Sequence, residues 1–255
     1  MNMVWSWKKA AGILAVSSLV LLGACSSEGQ TTSSEQNATE ASKAQEEKQK
    51  ADVKITQETY TAWKDSIDTV WVNYSAEVTN NGTAPAQIGS IQINYEDAEG
   101  NVLGTASMVT SVPDVLNPGE TAYFTESTML DTVKDPSVLT KAYANLDFET
   151  TEDEPYYLTT TNVKLTENTD EWDEGSPYIV TGSIVNEGDQ SADDIRVAAG
   201  LYDENDKLVG VLSGSVDVTL APEGKAAFEL NYPEIGPSVK GKAKTVKVSA
   251  FNWTW

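Results

Sequence analysis

Apolar and polar residues alternate with a period of two in the stretch VWVNYSAEV. The apolar set comprises Val70, Val72, Tyr74, Ala76 and Val78, and the alternate set comprises Trp71, Asn73, Ser75 and Glu77. Such alternation predicts a strand with one face against a core and the other pointing outward. The later stretch YIVTGSI repeats the order, with Tyr178, Val180, Gly182 and Ile184 on the apolar face.

Turn sequences separate the predicted strands along the rest of the chain. They read NNG, NEG, AEGN, NPGE and APEG, and no long amphipathic helix interrupts them. Short alternating strands joined by such turns are typical of an antiparallel β-sandwich. The pattern therefore predicts an all-β protein, in which residues 131–143 contain one short helical turn.

The chain contains an internal repeat. Residues 76–104 align with residues 182–210 without a gap, so that Asn80 matches Asn186 and Asp97 matches Asp203. Further on, LNPGETAYF aligns with LAPEGKAAF after a two-residue shift, and the closing segment ANLDF is matched with FNWTW. The repeat predicts two tandem sandwich domains, here called the first repeat (52–150) and the second repeat (155–255), joined by a polar seam. Each is expected to fold alone.

An acidic turn occurs at the same place in both repeats. DEND at 203–206 places oxygen atoms close together, as a calcium loop does. The first repeat has DAEGN there, with a glycine where a short hairpin needs a positive φ. Because the charge differs while the turn chemistry is kept, a hairpin is favoured over a calcium site or a catalytic carboxylate cluster.

The composition excludes several classes of partner, metal site and catalytic site. The 255 residues include 39 acidic and 17 basic side chains, for a net charge of -22, which disfavours nucleic acid as a partner. The chain has no histidine and a single cysteine, so it cannot form an internal disulfide, a Cys/His zinc site or a histidine-based catalytic triad. No cofactor, metal site or catalytic residue is predicted.

The amino terminus has the pattern of a secretory signal. Lys8 and Lys9 precede an uncharged, largely apolar run over residues 10–24. A charged region followed by a short apolar run is typical of a cleaved signal peptide, and the run is short for a membrane span. An uncleaved membrane anchor is the alternative.

The segment LLGAC, which ends at the only cysteine, resembles the bacterial lipobox. The resemblance implies cleavage between Ala24 and Cys25, and a diacylglyceryl group on the Cys25 sulfur. The mature protein would then be held at the extracytoplasmic face of a cell membrane by its acyl chains. Residues 26–51 contain no aromatic residue and no Val, Ile, Leu or Met, so the segment from the lipidated Cys25 to residue 51 is expected to be a disordered tether.

A short motif occurs at the same place in both repeats: the second repeat has AGLYD at 199–203 and the first has INYED at 93–97. With the strand layout, this motif resembles that of the bacterial FxLYD family of Ig-like sandwich modules. The second repeat matches the family motif at Leu201, Tyr202 and Asp203 and departs from it at Ala199, and the first keeps only an apolar first residue and the aspartate. The resemblance implies a fold and an envelope location, and it carries no catalytic residues.

Tryptophans are the candidate ligand contacts. Phe251, Trp253 and Trp255 share one face of the last strand and are expected to pack in the core. Trp63, Trp71 and Trp172 differ, because Trp71 is on the outward face and the other two have charged neighbours. Exposed apolar groups mark binding patches, although these three side chains would serve equally to pack over a sandwich end or between the repeats.

The sequence therefore predicts a non-catalytic binding or scaffold module that is anchored to the membrane and meets an envelope protein or polymer. An accessory solute-binding lipoprotein of a transporter is an alternative in the same location. A carboxylate-based cell-envelope enzyme is a further alternative, which would need an acidic cleft.

Overall fold

The computed structural model describes residues 49–170 and 172–253, all of which belong to one compact unit. Nearly all regular structure is antiparallel β, which confirms the all-β prediction. The first repeat contains seven strands: β1 Val53–Lys64, β2 Val70–Asn80, β3 Ala86–Glu96, β4 Val102–Ala106, β5 Val115–Leu116, β6 Thr121–Met129 and β7 Lys141–Thr150. The second contains β8 Tyr156–Tyr157, β9 Thr159–Glu167, β10 Tyr178–Val185, β11 Ile195–Tyr202, β12 Leu208–Val216, β13 Lys225–Leu230 and β14 Thr245–Asn252.

The two repeats share a sandwich topology, except that the short strand β5 occurs in the first repeat and the short strand β8 in the second. In the first repeat, the sheet β1-β2-β6 faces a sheet in which β3 pairs with β4, β5 and β7. In the second, the sheet β9-β10-β13 faces the sheet β12-β11-β14-β8. A 3-10 turn at Pro136–Val138, inside the segment predicted to contain a helical turn, has its counterpart at Pro237–Val239.

Each repeat has its own hydrophobic core. The face of β2 that was predicted to be apolar, from Val70 to Val78, is fully buried in the first core. Tyr178, Val180 and Ile184 of β10 occupy the second core. Ala51, placed in the tether by the sequence, is buried in the first core, and its N–H donates to Thr150 Oγ1 at 3.1 Å. The first sandwich therefore includes Ala51.

A buried asparagine organises the same loop in both repeats. Asn80 Nδ2 donates to the carbonyls of Ala84 and Leu116 at 2.8 and 2.9 Å, and Asn186 Nδ2 donates to those of Gln190 and Leu220 at 2.7 and 2.8 Å. Each side-chain oxygen accepts from the backbone N–H two residues later, at 3.0 and 3.1 Å. The alignment of Asn80 with Asn186 thus marks a shared structural role.

The acidic turns are the predicted hairpins. Asp203 Oδ1 accepts the N–H groups of Asn205 and Lys207 at 2.8 and 3.0 Å, and Asp97 Oδ1 accepts those of Glu99 and Asn101 at 3.0 and 2.8 Å. The residue with positive φ is Asp206 in one turn and Gly100 in the other. These backbone hydrogen bonds lower the pKa of Asp203. The pKa of Asp97 is lowered as well, mainly by the hydrogen bond from the Asn101 side chain.

The closing strands align differently from the sequence match. The ladders pair Ile93 with Ala144 and Ala199 with Val248. Val248, not Phe251, is therefore the counterpart of Ala144, and the match of ANLDF with FNWTW is wrong by three residues. Phe251 is buried, but it lies in a cluster between the repeats and not in the sandwich core. Trp253 packs against the same cluster, and Trp255 lies outside the described residues.

That third cluster joins the two repeats. Val112 and Tyr123 of the first repeat pack with five buried residues of the second repeat, which are Ala198, Tyr202, Leu208, Val211 and Phe251. Strand β12 lies against β1, β2 and β6. The face of β2 predicted to point outward is therefore partly covered: Asn73 is 2% exposed and Ser75 is 0% exposed. Alternation could not show this, because it separates two faces without saying what covers the second.

Hydrogen bonds also connect the two repeats across this interface. Ser75 Oγ accepts the N–H of Val211 at 3.0 Å. The hydroxyls of Tyr123 and Tyr202 lie 2.9 Å apart. Tyr202 donates to the Glu77 carboxylate, so the hydroxyl of Tyr123 is the donor to Tyr202. Burial raises the pKa of Tyr123 to about 12, which keeps this donor protonated at neutral pH.

Candidate functional site

The structure gives the three candidate tryptophans different surroundings. Trp63, at the end of β1, is 8% exposed and pairs across the ladder with Trp71 of β2. Trp71 is half-buried, and its indole N–H donates to Asp65 Oδ2 at 3.0 Å. Trp172, in the loop between β9 and β10, is 97% exposed.

Trp63 and Trp172 line one hollow between the repeats, which we call the inter-repeat cleft. It has a volume of about 360 Å³. Its lining consists of Trp63, Lys64, Asp65 and Ser66 from the first repeat and Trp172, Asp173, Glu174, Gly175 and Glu234 from the second. Trp71 is outside the lining, and it contacts the cleft through its hydrogen bond to Asp65. A second hollow of about 490 Å³, within the second repeat, shares Trp172, Asp173 and Glu174 with it.

The first-repeat wall is built by the turn from β1 to β2. Asp65 Oδ1 accepts the N–H groups of Ile67 and Thr69 at 3.0 and 2.8 Å. Burial opposes ionisation of Asp65, but the hydrogen bonds from Thr69, Trp71 and Ile67 outweigh it and lower the pKa of this carboxyl group. Asp65 is therefore a fixed negative charge at neutral pH.

The second-repeat wall is a loop held by its own polar side chains. Asn168 Nδ2 donates to Asp173 Oδ2 at 3.0 Å and to the Ser176 carbonyl at 2.9 Å. Asp170 Oδ1 accepts the N–H of Trp172 at 2.9 Å. These bonds fix the backbone at Trp172 while its indole ring stays in solvent.

Glu234 reaches the cleft from the segment before the second 3-10 turn. Its side chain lies over Gly175, where a Cβ atom would be 2.2 Å from Glu234 Oε2, so a side chain at position 175 would displace the Glu234 carboxylate. Among the described residues, no hydrogen bond or ion pair reaches the Glu234 carboxylate. Burial, and then the charges of Asp173 and Asp65, raise its pKa.

The same segment ties the repeats together beneath the cleft. Thr61 Oγ1 donates to the carbonyl of Ile235 at 2.6 Å, and Ser127 donates to the carbonyl of Glu234. Gly236 has a φ of +85°, and a Cβ atom there would lie 2.8 Å from Trp63 Cε3. Trp63 therefore packs directly on the backbone of the second repeat, which is why most of its ring is buried although it lines the cleft.

Other predicted features lie elsewhere. The signal peptide, Ala24, Cys25 and most of the tether are outside the described residues. Within the part of the chain that the structure describes, no helix is long and apolar enough to cross a membrane. The same residues contain no group of three or more Asp, Glu, His or Cys side chains arranged to hold a metal ion.

Comparison with known proteins adds no identity. No protein-family model matches the chain, and no curated protein matches it.

Sequence reasoning found both cleft tryptophans and their charged neighbours but missed Glu234, which lines the same cleft. Glu234 is 62 positions after Trp172 and 171 after Trp63 in the printed sequence. Its surroundings, NYPEIGP, have the composition of an ordinary turn. No local signal marks it, because Gly175 and Gly236, against which side chains of the cleft pack, are two of 17 glycines in the sequence.

Proposed function

We propose that this protein is a lipid-anchored, extracytoplasmic bacterial module that binds a ligand in the inter-repeat cleft and has no catalytic role. The lipobox-like segment ending at Cys25 supports the anchoring. The exposed indole of Trp172 supports the binding role, because a large apolar side chain held in water has no packing purpose within the chain.

The observation that carries the binding proposal is the meeting of Trp63 and Trp172. They are far apart in sequence, come from different repeats and line the same hollow. The interface with Tyr123, Tyr202 and Glu77 holds the two repeats in one arrangement, so the cleft is preformed. Preformed concave sites lose little conformational entropy when they bind.

The anchoring is tested by mass. The mature wild-type chain should begin at Cys25, carry added acyl mass and partition into detergent. Cys25→Ala should carry no lipid and should accumulate as an unprocessed precursor of higher mass. A wild-type protein found without acyl groups, or beginning after Cys25, would contradict the anchoring proposal.

The ligand site is tested by capture from the native envelope of the source cells. The wild-type protein, Trp172→Ala and the control variant Met108→Ala are immobilised in equal amounts. Met108 is 94% exposed and belongs to the first repeat, outside the cleft, so its variant loses apolar surface without altering the site. We expect a captured species that is lost with Trp172→Ala and kept with Met108→Ala. Equal capture by all three proteins would refute the cleft as the ligand site.

A further inference from the structure

We infer that the inter-repeat cleft binds an organic cation, namely an ammonium or guanidinium group carried on an apolar stem. This inference rests on the proposed binding function and names the ligand class of the same site.

The aromatic surface favours a cation with an apolar stem. Trp172 is 97% exposed and its backbone is fixed through Asp170, so an indole face is offered without a cost in loop ordering. Tryptophan is the aromatic side chain that attracts cations most strongly, at up to about 6 Å from the ring centroid. The buried ring of Trp63 supplies a second apolar surface in the cleft for the methylene groups of the stem.

The charge in the cleft also favours a cation. Four carboxylates line it, from Asp65, Asp173, Glu174 and Glu234. Lys64 is the only basic residue in the lining, and its ammonium group is 3.5 Å from Asp68 Oδ1, outside the lining. A cleft lined by one sign of charge concentrates ligands of the opposite sign.

The hydrogen bonds assign different roles to the acids. Asp65 accepts from its own turn and from Trp71, and Asp173 accepts from Asn168, so both are engaged in holding the walls. Glu174 and Glu234 receive no hydrogen bond from the described residues, but Glu174 is exposed to water whereas Glu234 is half-buried next to those two charges. A bound cation would give Glu234 the partner that it lacks and would screen its repulsion with Asp65 and Asp173. Glu234 is therefore the direct ion-pair partner, and Trp172 covers the stem.

Titration calorimetry of the full chain in a non-ionic detergent tests this inference. The probes are spermidine and a tetralysine peptide, and the control probe is the same peptide with acetylated side chains, which has the same stem but no side-chain charge. We expect the charged probes to bind and the acetylated peptide not to bind. Binding of both charged probes points to free amines as well as peptides, and binding of tetralysine alone points to peptides; either result supports the inference.

Variants separate the cleft from the general acidity of the protein. Trp172→Ala should weaken binding about five- to tenfold, and Glu234→Gln should weaken it about fivefold. Glu99→Gln makes the same charge change in an exposed hairpin turn and should leave the affinity unchanged. Magnesium chloride at equal ionic strength controls for screening.

The inference fails if neither charged probe binds the wild-type protein, or if Trp172→Ala and Glu234→Gln bind as tightly as Glu99→Gln. Its failure is distinguishable from failure of the proposed function. Envelope capture that still depends on Trp172, without binding of either cation, would overturn the organic cation and keep the cleft as a ligand site.

Discussion

A methyl group at position 200 should destabilise the protein by forcing the repeats apart. A Cβ atom on Gly200 would lie 2.5 Å from Tyr123 Cε1 and 2.9 Å from its Cζ atom. The ring of Tyr123 cannot turn away freely, because its hydroxyl is bonded to that of Tyr202, which in turn is bonded to Glu77. Gly200→Ala must therefore shift a strand or break this chain of hydrogen bonds.

The size of the effect follows from three contributions. Overpacking a buried site costs about 1–3 kcal/mol, and losing a buried hydrogen bond costs about 1 kcal/mol more. Alanine also restricts the backbone of the unfolded chain, which stabilises the folded state by about 0.4–1 kcal/mol. We expect a net loss of about 2 kcal/mol in the free energy of unfolding, or about 4–8 °C in Tm for a unit of this size.

Thermal unfolding followed by circular dichroism measures this loss, with Gly89→Ala as the matched control. Gly89 lies in β3, and a Cβ atom there would make ordinary contacts, the nearest at 3.5 Å. A second control is Gly200→Ala in a Tyr123→Leu background, where the shorter side chain should remove most of the clash. The reasoning is refuted if Gly200→Ala has the same Tm as Gly89→Ala, or if Gly200→Ala lowers the free energy of unfolding equally in the wild-type and Tyr123→Leu backgrounds.

Four further predictions follow from the same contacts. Residues 49–152 and 154–255, expressed separately, should each fold with β-rich circular dichroism and melt below the joined protein, because each exposes its side of the interface; an unfolded half would show that one core is shared. Asn80→Ala should cost about 2–4 kcal/mol by leaving the carbonyls of Ala84 and Leu116 and two N–H groups without a partner, measured by urea unfolding. Millimolar calcium should raise Tm no more than magnesium does, and a calcium-selective rise abolished by Asp203→Ala would contradict the hairpin interpretation. Glu234→Gln should raise Tm at neutral pH, because burial and the charges of Asp173 and Asp65 raise the pKa of Glu234 above its ordinary value of 4.5, so that the ionised carboxylate destabilises the fold; the difference in Tm from wild type should vanish as the pH falls below 4.5.

The parts of the structure that the sequence predicted are those governed by local chemistry. Alternation identified the buried face of β2, and turn composition identified both acidic hairpins, because side-chain direction and positive φ are set within a few residues. The inter-repeat contacts depend on side chains such as Ser75 and Val211, which are far apart along the chain. The register of the closing strands is likewise not local, because it is set by the pairing of β7 with β3 and of β14 with β11.

One hint of the interface was present in β11. Ala198, Ala199 and Gly200 are three consecutive small residues within a strand, where bulky side chains usually pack better. The structure places Ala198 and Gly200 against the first repeat, and Ala199 in the second core. Small residues on an outer face thus indicated a close approach of another element. The candidate site was predictable in its tryptophans and their charged neighbours but not in Glu234, because nothing local distinguishes Glu234 from the other surface acids.

The contact between the repeats joins two different faces, and such a head-to-tail contact can in principle be continued by further copies into a filament. The sequence of each repeat prevents this. At the positions of Ala198, Gly200 and Tyr202, the first repeat has Gln92, Asn94 and Glu96, which would present amides and a negative charge to an incoming module. At the position of Tyr123, the second repeat has Ala227 and lacks the hydroxyl that reaches across. Each half thus carries only one of the two surfaces that form this contact, so the sequence disfavours continuing it with a further copy.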